Sequence, residues 1–252
     1  MPSEIASHYE KKYAGQKVED AGSLRLSRAP GNRFEACQLA LKTHFSGGSI
    51  LEIGAGDGTI ARRLLAADVP FSRYAVTDLS TTRTAAAMES LSDPRFEVFP
   101  LDVEAEFHKV SGQTFDAVIM VALIEHLIDP IKVMRNIASI LNGGGFVYID
   151  TPNIAKYTRR IKLAFGYFPA TASRDEGLLT YDGRPVDLFD EGHFHYFSYR
   201  SLEQMLTRYC GFSAVEKCPY WGAGSAVPPA LGKHAARLWP EMFSEVAVIC
   251  RK

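Results

Sequence analysis

The sequence predicts an α/β fold: a parallel sheet with helices packed on both faces. Three observations carry this. Short, nearly continuous apolar runs recur between Ser49 and Asp150. Segments with helical spacing of apolar residues separate them. Strands buried on both faces read as unbroken apolar runs, which is the pattern of a parallel sheet.

The elements follow in order. Residues 1–33 are polar, with helical character at Ile5–Tyr13 and again from Arg33. Strands are expected at Ser49–Gly54, Arg73–Asp78, Arg95–Phe99, Phe115–Val121 and Gly145–Asp150. Helices are expected at Thr59–Ala67, Thr82–Leu91 and Ile131–Leu141. Asp129-Pro130 opens the third helix with a capping carboxylate and a first-turn proline. Asn142-Gly143-Gly144-Gly145 is expected to stop it. Residues 151–198 break the alternation and are rich in aromatics, Gly, Pro and charge. A stretch this long reads as a functional insertion or lid. A helix at Ser198–Cys210, capped by Ser198 or Ser201, then leads to strands at Phe212–Lys217 and Glu245–Arg251.

Composition narrows the function. With 252 residues, 46% hydrophobic and 23% charged, the chain suits one or two globular domains with a sizeable core, not disorder, collagen or coiled coil. No run reaches the roughly 18–20 apolar residues that span a bilayer. The formal net charge of −1 supplies no bulk field for nucleic acid or anionic lipid, although local patches stay open. Cys37, Cys210, Cys218 and Cys250 lack metal-site spacing and read as reduced thiols. The N-terminus lacks the apolar stretch of a secretory signal, so a cytoplasmic location is expected.

The strongest signal is Leu51-Glu52-Ile53-Gly54-Ala55-Gly56-Asp57-Gly58-Thr59, at the junction of the first strand and helix. Glycines there allow a sharp turn and a close approach of backbone to ligand. The dinucleotide pattern G-x-G-x-x-G fails, because Thr59 holds the last glycine's place. Glu52 and Asp57 would repel a pyrophosphate but attract an ammonium group. Asp78 ends the second strand at the spacing where a carboxylate takes a ribose diol. Asp102 follows the third strand and suits an exocyclic adenine amine. The strand ends therefore fit a ligand with an amine, a ribose and an adenine but no phosphate.

These segments, with AVTDLS, PLDVEAEF, FDAVIMVALIEHLIDP and NGGGFVYIDTPN, resemble the class I S-adenosylmethionine-dependent methyltransferases. The Glu125-His126-Leu127 and Thr151-Pro152-Asn153 stretches, and Gly192–Ser198 before a helix ending in Gly-Phe, are similar to the methyltransferase-domain-23 and type-11 group. The resemblance implies a Rossmann-like, seven-stranded sheet, mostly parallel, with the last strand antiparallel. It implies one domain: a helical cap at 1–45, a cofactor-binding core at 46–150, an acceptor-side insertion at 151–198, and a C-terminal part at 199–252. It also implies S-adenosyl-L-methionine as cofactor and S-adenosyl-L-homocysteine as product. By position, Glu52 would hold the loop and the methionine end. Gly54, Ala55, Gly56 and Gly58 would let the cofactor lie on backbone. Asp78 would bind the ribose, with Leu79 against adenine. Asp102 and Val103 would hold the adenine, and Val121 and Ala122 would line the sulfonium side. Glu52, Asp57 and Asp78 also have plain readings as helix caps or surface charges.

A hydroxyl acceptor must lose a proton, and histidine suits that task near neutral pH. His126, His193 and His195 lie near strand ends and are the candidate bases. Alternation with Phe194 and Tyr196 would put His193 and His195 on one side of an extended segment, just after Asp190 and Glu191. Each has a rival role as a structural hydrogen bond. His8, His44, His108 and His234 read as solvated. Some quinone-pathway relatives bind a metal through a pattern like E-x-x-E-H; here Ala122 takes the first acidic place, so no metal is expected. The Lys156–Lys162 cluster is either an anion site or a solvated helix face. Tyr157, Tyr181 and Tyr196 are further polar groups in the insertion.

The expected function is methyl transfer, most simply to oxygen, on a small-molecule or glycan acceptor, without nucleic acid. A non-catalytic cofactor-binding partner is the alternative. An NAD-dependent dehydrogenase or epimerase is disfavoured by the glycine spacing.

Overall fold

The computed structural model describes residues 7, 9–11, 24–171, 192–222 and 228–252. One sheet holds β1 (Gly48–Ile53), β2 (Phe71–Asp78), β3 (Phe96–Pro100), β4 (Phe115–Val121), β5 (Leu141–Thr151), β6 (Ala214–Lys217) and β7 (Val246–Arg251). Their order is β3-β2-β1-β4-β5-β7-β6. β1 to β5 pair in parallel. β7 runs antiparallel between β5 and β6. This is the mostly parallel, Rossmann-like architecture expected from the sequence.

The helices are α1 (Arg33–His44), α2 (Thr59–Ala66), α3 (Thr81–Ser90), α4 (Pro130–Ile140), α5 (Tyr157–Ala164), α6 (Tyr199–Tyr209), α7 (Pro229–Leu238) and α8 (Pro240–Phe243). Side chains alternate across the sheet, so each strand feeds two cores. Leu51, Ile53, Val118 and Met120 pack with Val133 and Ile137 of α4 and Leu202 and Leu206 of α6. Ile50, Val76, Ala117 and Ile119 pack on the other face with Cys37 and Leu41 of α1 and Ile60 and Leu64 of α2. Asp129 caps α4, its carboxylate accepting from the Lys132 amide at 2.9 Å. Ser198 caps α6 in a reciprocal pair with Ser201.

Most element ends fall within one or two residues of expectation, while β5 starts four residues early. The glycine run after α4 is not a bare helix stop: β5 starts at Leu141, which pairs with Phe115, and the register shifts before Ala117 meets Phe146. A side chain on Gly145 would come within 3.0 Å of the Asp116 carbonyl, so glycine lets the irregular strand pass its neighbour. Phe212 precedes β6 and is buried in the core instead of extending the ladder. The four cysteines are free, and all but Cys218 are buried. No helix among the described residues is long and apolar enough to cross a membrane.

Candidate active site

A cavity of about 920 Å³ opens at the carboxyl ends of the parallel strands, beside the β1/β4 junction where the strand order reverses. Open α/β sheets form their ligand crevices at this point. The β1–α2 loop makes one wall. Gly56 has φ of 60°, a left-handed backbone that glycine adopts without strain. Its amide donates to the Asp78 carboxylate at 2.8 Å, and the Ser80 amide donates to the other oxygen at 2.9 Å. Asp78 is thereby aimed into the cavity from the end of β2. Burial raises its pKa, against the pull of these two amides and of nearby Arg83.

Glu52 lies deep in the loop wall and is 1% exposed. The Tyr74 hydroxyl donates to one of its oxygens at 2.6 Å, while the other is buried without a hydrogen bond. Burial pushes its pKa up to about 8, against the Tyr74 bond. Asp57 also lines the cavity, yet it is tied to the start of α2: its carboxylate accepts from the Thr59 amide and hydroxyl at 3.1 and 2.7 Å.

Most of the cofactor residues expected from the sequence converge here. Glu52, Gly54, Ala55, Gly56, Asp78 and Leu79 line the cavity, as do Asp102, Val103, Val121 and Ala122. Asp102 shapes its turn by accepting from the Glu104 and Ala105 amides at 3.0 and 3.1 Å. Ala122 has φ of 50°, uncommon for a residue with a side chain, and its amide donates to the Asp150 carbonyl at 2.9 Å. Gly58 does not line the cavity. Its φ is 80°, and a side chain there would meet Leu91 at 3.0 Å, so it serves the packing of the loop on α3.

The histidines divide differently from expectation. His126 and His193 both line the cavity, with ring centroids 4.6 Å apart. The Gly192 carbonyl accepts from His126 Nδ1 at 3.0 Å. A carbonyl only accepts, so in this contact the imidazole is the donor. The Tyr9 hydroxyl also lies 2.9 Å from that Nδ1. His193 Nδ1 lies 2.6 Å from the Thr171 hydroxyl. His195 is outside the cavity lining, with Nε2 3.4 Å from the Ile128 carbonyl. The reason is backbone geometry. The Phe194 and His195 amides both donate to the Glu125 carbonyl, at 2.9 and 3.1 Å. Two successive amides on one acceptor bend the chain, so strand alternation does not apply. Asp190, Glu191 and Tyr181 lie outside the described residues, as does His8.

Glu125 completes this group. It is buried, with one oxygen accepting from the Thr151 hydroxyl at 2.8 Å and the other without a hydrogen bond. Burial pushes its pKa up to about 7. Potential ligand atoms of Glu125, His126 and His193 lie within 4.8 Å of one another. The donor types suit a divalent cation, although Ala122 supplies no further ligand.

Sequence reasoning missed several cavity residues. Arg33, at the start of α1, brings a cation to the cavity and sits 3.6 Å from buried Asp150. Burial pushes Asp150 up to about 6, with Arg33 opposing. Tyr9 and Thr171 also line the cavity. No motif marks these residues, because they reach the site from distant segments. The basic cluster resolves largely into structure: Lys156 and Arg159 each pair with Glu245 at 2.8 Å. Burial would raise the Glu245 pKa, yet these two cations hold it at about 2.

The left-handed glycine loop, the Asp78 carboxylate at the end of β2, and the buried orphan oxygen of Glu52 fit a phosphate-free, cationic adenosine cofactor. Fold and cavity together define the class I S-adenosylmethionine-dependent methyltransferases. A family model described as a methyltransferase domain matches residues 27–217, and the chain belongs to that family. Over 150 residues it is 29% identical to the ubiquinone biosynthesis O-methyltransferase of Neisseria meningitidis serogroup C, covering 58% of this chain and 57% of that protein. The chain thus spans little more than half of that relative's length. A SAM-dependent methyltransferase from Archaeoglobus fulgidus superposes with a TM-score of 0.55 at 14% identity, covering 97% of this chain and 98% of that one. One from Mesorhizobium loti gives 0.53 at 17% identity, covering 86% and 98%. At these identities the structures attest the fold alone.

Proposed function

We propose that the protein methylates a hydroxyl of a small-molecule or glycan acceptor. When bound, S-adenosylmethionine supplies an electrophilic methyl group on sulfur. Asp78 would hold the ribose diol, since each carboxylate oxygen keeps a lone pair beyond its amide bond. Leu79 and Val103 would cover the adenine and Asp102 would accept from its amine. Glu52 would face the ammonium of the amino-acid end, and Arg33 its carboxylate. Val121 and Ala122 would border the sulfonium.

The observation that carries the acceptor chemistry is the imidazole pair beside Glu125. His126, whose Nδ1 lies 3.0 Å from the Gly192 carbonyl, lines the cavity and would act as the proton acceptor. His193 stands against it. One of the two would take the hydroxyl proton as the oxygen attacks, and the buried Glu125, in its ionised carboxylate form, would balance the imidazolium charge. We read the cluster as a base rather than a metal centre, because Ala122 occupies the place of a further ligand. The O-methyltransferase named above supports an oxygen acceptor.

The test is a calorimetric titration with S-adenosylhomocysteine, followed by turnover of phenolic, quinol and sugar acceptors with labelled cofactor. Binding with turnover at a hydroxyl is expected. Binding without turnover on any of these acceptors would favour a partner role. Uptake of NAD in place of S-adenosylhomocysteine would refute the cofactor reading.

A further inference from the structure

Tyr9 and Glu10 are neighbours in sequence, yet they touch opposite sides of the cavity. The Tyr9 hydroxyl lies 2.9 Å from His126 Nδ1, and the two rings meet edge-on with centroids 5.8 Å apart. Glu10 reaches the start of α3 instead. Its carboxylate accepts from the Ser80, Thr81 and Thr82 hydroxyls at 3.0, 2.7 and 2.8 Å, and from the Thr81 amide. It stands close enough to Asp78 for its charge to oppose that residue's ionisation. β2 and β4 flank β1 in the sheet, so the segments that follow them stand on either side of the glycine loop. Two consecutive residues therefore bridge that loop, with Tyr9 in the cavity lining.

Glu10 is not needed to build α3. Ser80 already caps that helix, its hydroxyl accepting from the Arg83 amide at 3.2 Å. What Glu10 adds is a tether for its own segment, because the first turn of a helix offers free amides and a favourable dipole to a carboxylate. Burial would raise the Glu10 pKa, yet the bonds from Thr81, Thr82 and Ser80 hold it at about 2. The tether therefore stays charged across the neutral range. Charge-assisted hydrogen bonds are roughly twice as strong as neutral ones, so Glu10 is the anchor and the Tyr9 hydroxyl follows it.

We propose that Tyr9 and Glu10 form a clasp over the cofactor cavity. Glu10 seats the N-terminal segment on α3, and Tyr9, carried with it, is a positioning residue for His126. A bound cofactor would leave only after the clasp lifts. The effect on turnover rests on the methyl-transfer reading, in which His126 is a candidate base. The clasp itself does not, and it is measured without an acceptor.

The test compares the full chain with Tyr9→Phe, Glu10→Ala and the double variant, by chase of labelled S-adenosylhomocysteine and by amide hydrogen exchange. Glu10→Ala should release the ligand about tenfold faster, and Tyr9→Phe about threefold faster. The double variant should match Glu10→Ala, because a lifted clasp no longer brings Tyr9 to His126. Tyr9→Phe should also speed exchange of the Thr81 amide, which is bonded to Glu10. Glu10→Gln should restore part of the slow release. Thermal midpoints should hold at the parent value, since Ser80 keeps α3 capped. With acceptor present, Tyr9→Phe should lower kcat about threefold and leave the acceptor KM unchanged. The clasp is overturned if Glu10→Ala releases the ligand at the parent rate, or if the two substitutions multiply in the double variant. It is also overturned if Glu10→Ala lowers the thermal midpoint without changing release, which would make Glu10 a structural cap. Faster release and exchange with kcat intact would uphold the clasp and remove His126 as the base.

Discussion

Asp78 and Gly56 are joined by a 2.8 Å bond from the glycine amide to the carboxylate. The bond ties the end of β2 to the loop after β1, so the diol-binding candidate and the glycine loop form one unit. The buried Asp78 carboxylate serves two amides and still faces the cavity.

Asp78→Ala should therefore weaken S-adenosylhomocysteine binding by about a hundredfold, combining lost diol bonds with a slackened loop. Asp78→Asn should lose less, because the amide oxygen still accepts from one backbone N–H. Calorimetric titration checks both. Affinity unchanged in the alanine variant would remove Asp78 from the site.

For the acceptor side, we expect His126→Ala and His193→Ala to retain S-adenosylhomocysteine affinity. The variant that removes the base should lose roughly 10²–10⁴ in turnover. His195→Ala should stay near the parent rate, since His195 lies outside the cavity lining. Full turnover in both cavity variants would refute histidine-assisted deprotonation.

The Glu125, His126 and His193 cluster makes the metal question experimental. Activity should survive exhaustive chelation and be unchanged by added divalent cations. Loss on chelation with recovery on metal would reassign the imidazoles from base to ligands.

Stability should fall as pH rises from about 5 to 8. Glu52, Glu125 and Asp150 have folded-state values of about 8, 7 and 6, raised chiefly by burial. The unfolded chain releases these protons near pH 4, while the folded state retains them to higher pH. The contribution is thus complete below the unfolded values and is lost as pH climbs through the folded ones. Glu245, held at about 2, acts in a lower window and does not oppose this trend. Thermal midpoints across that range test the sign. S-adenosylhomocysteine should flatten the slope, because its ammonium beside Glu52 favours the ionised form. A midpoint that climbs steadily toward pH 8 contradicts the assignment.

Gly58→Ala should destabilise the protein by about 1–2 kcal/mol through its left-handed backbone, with some addition from the 3.0 Å approach to Leu91. Cofactor affinity of the folded variant should hold near the parent value. Urea unfolding and calorimetry separate the two effects.

The strand runs, their alternation with helices, the glycine loop and the acidic residues at the ends of β2 and β3 were legible in the residues alone. Those features are local: apolar periodicity, caps and turn chemistry act within a few residues, and the parallel order then places every strand end at one edge. The acceptor wall came from long-range packing. That packing set His193 against His126, turned His195 away through the bend at the Glu125 carbonyl, brought Arg33 and Tyr9 in from the N-terminal region, and bound Lys156 and Arg159 to Glu245. Such contacts join residues distant in the chain, and no short-range pattern encodes which of them the packing will bring together.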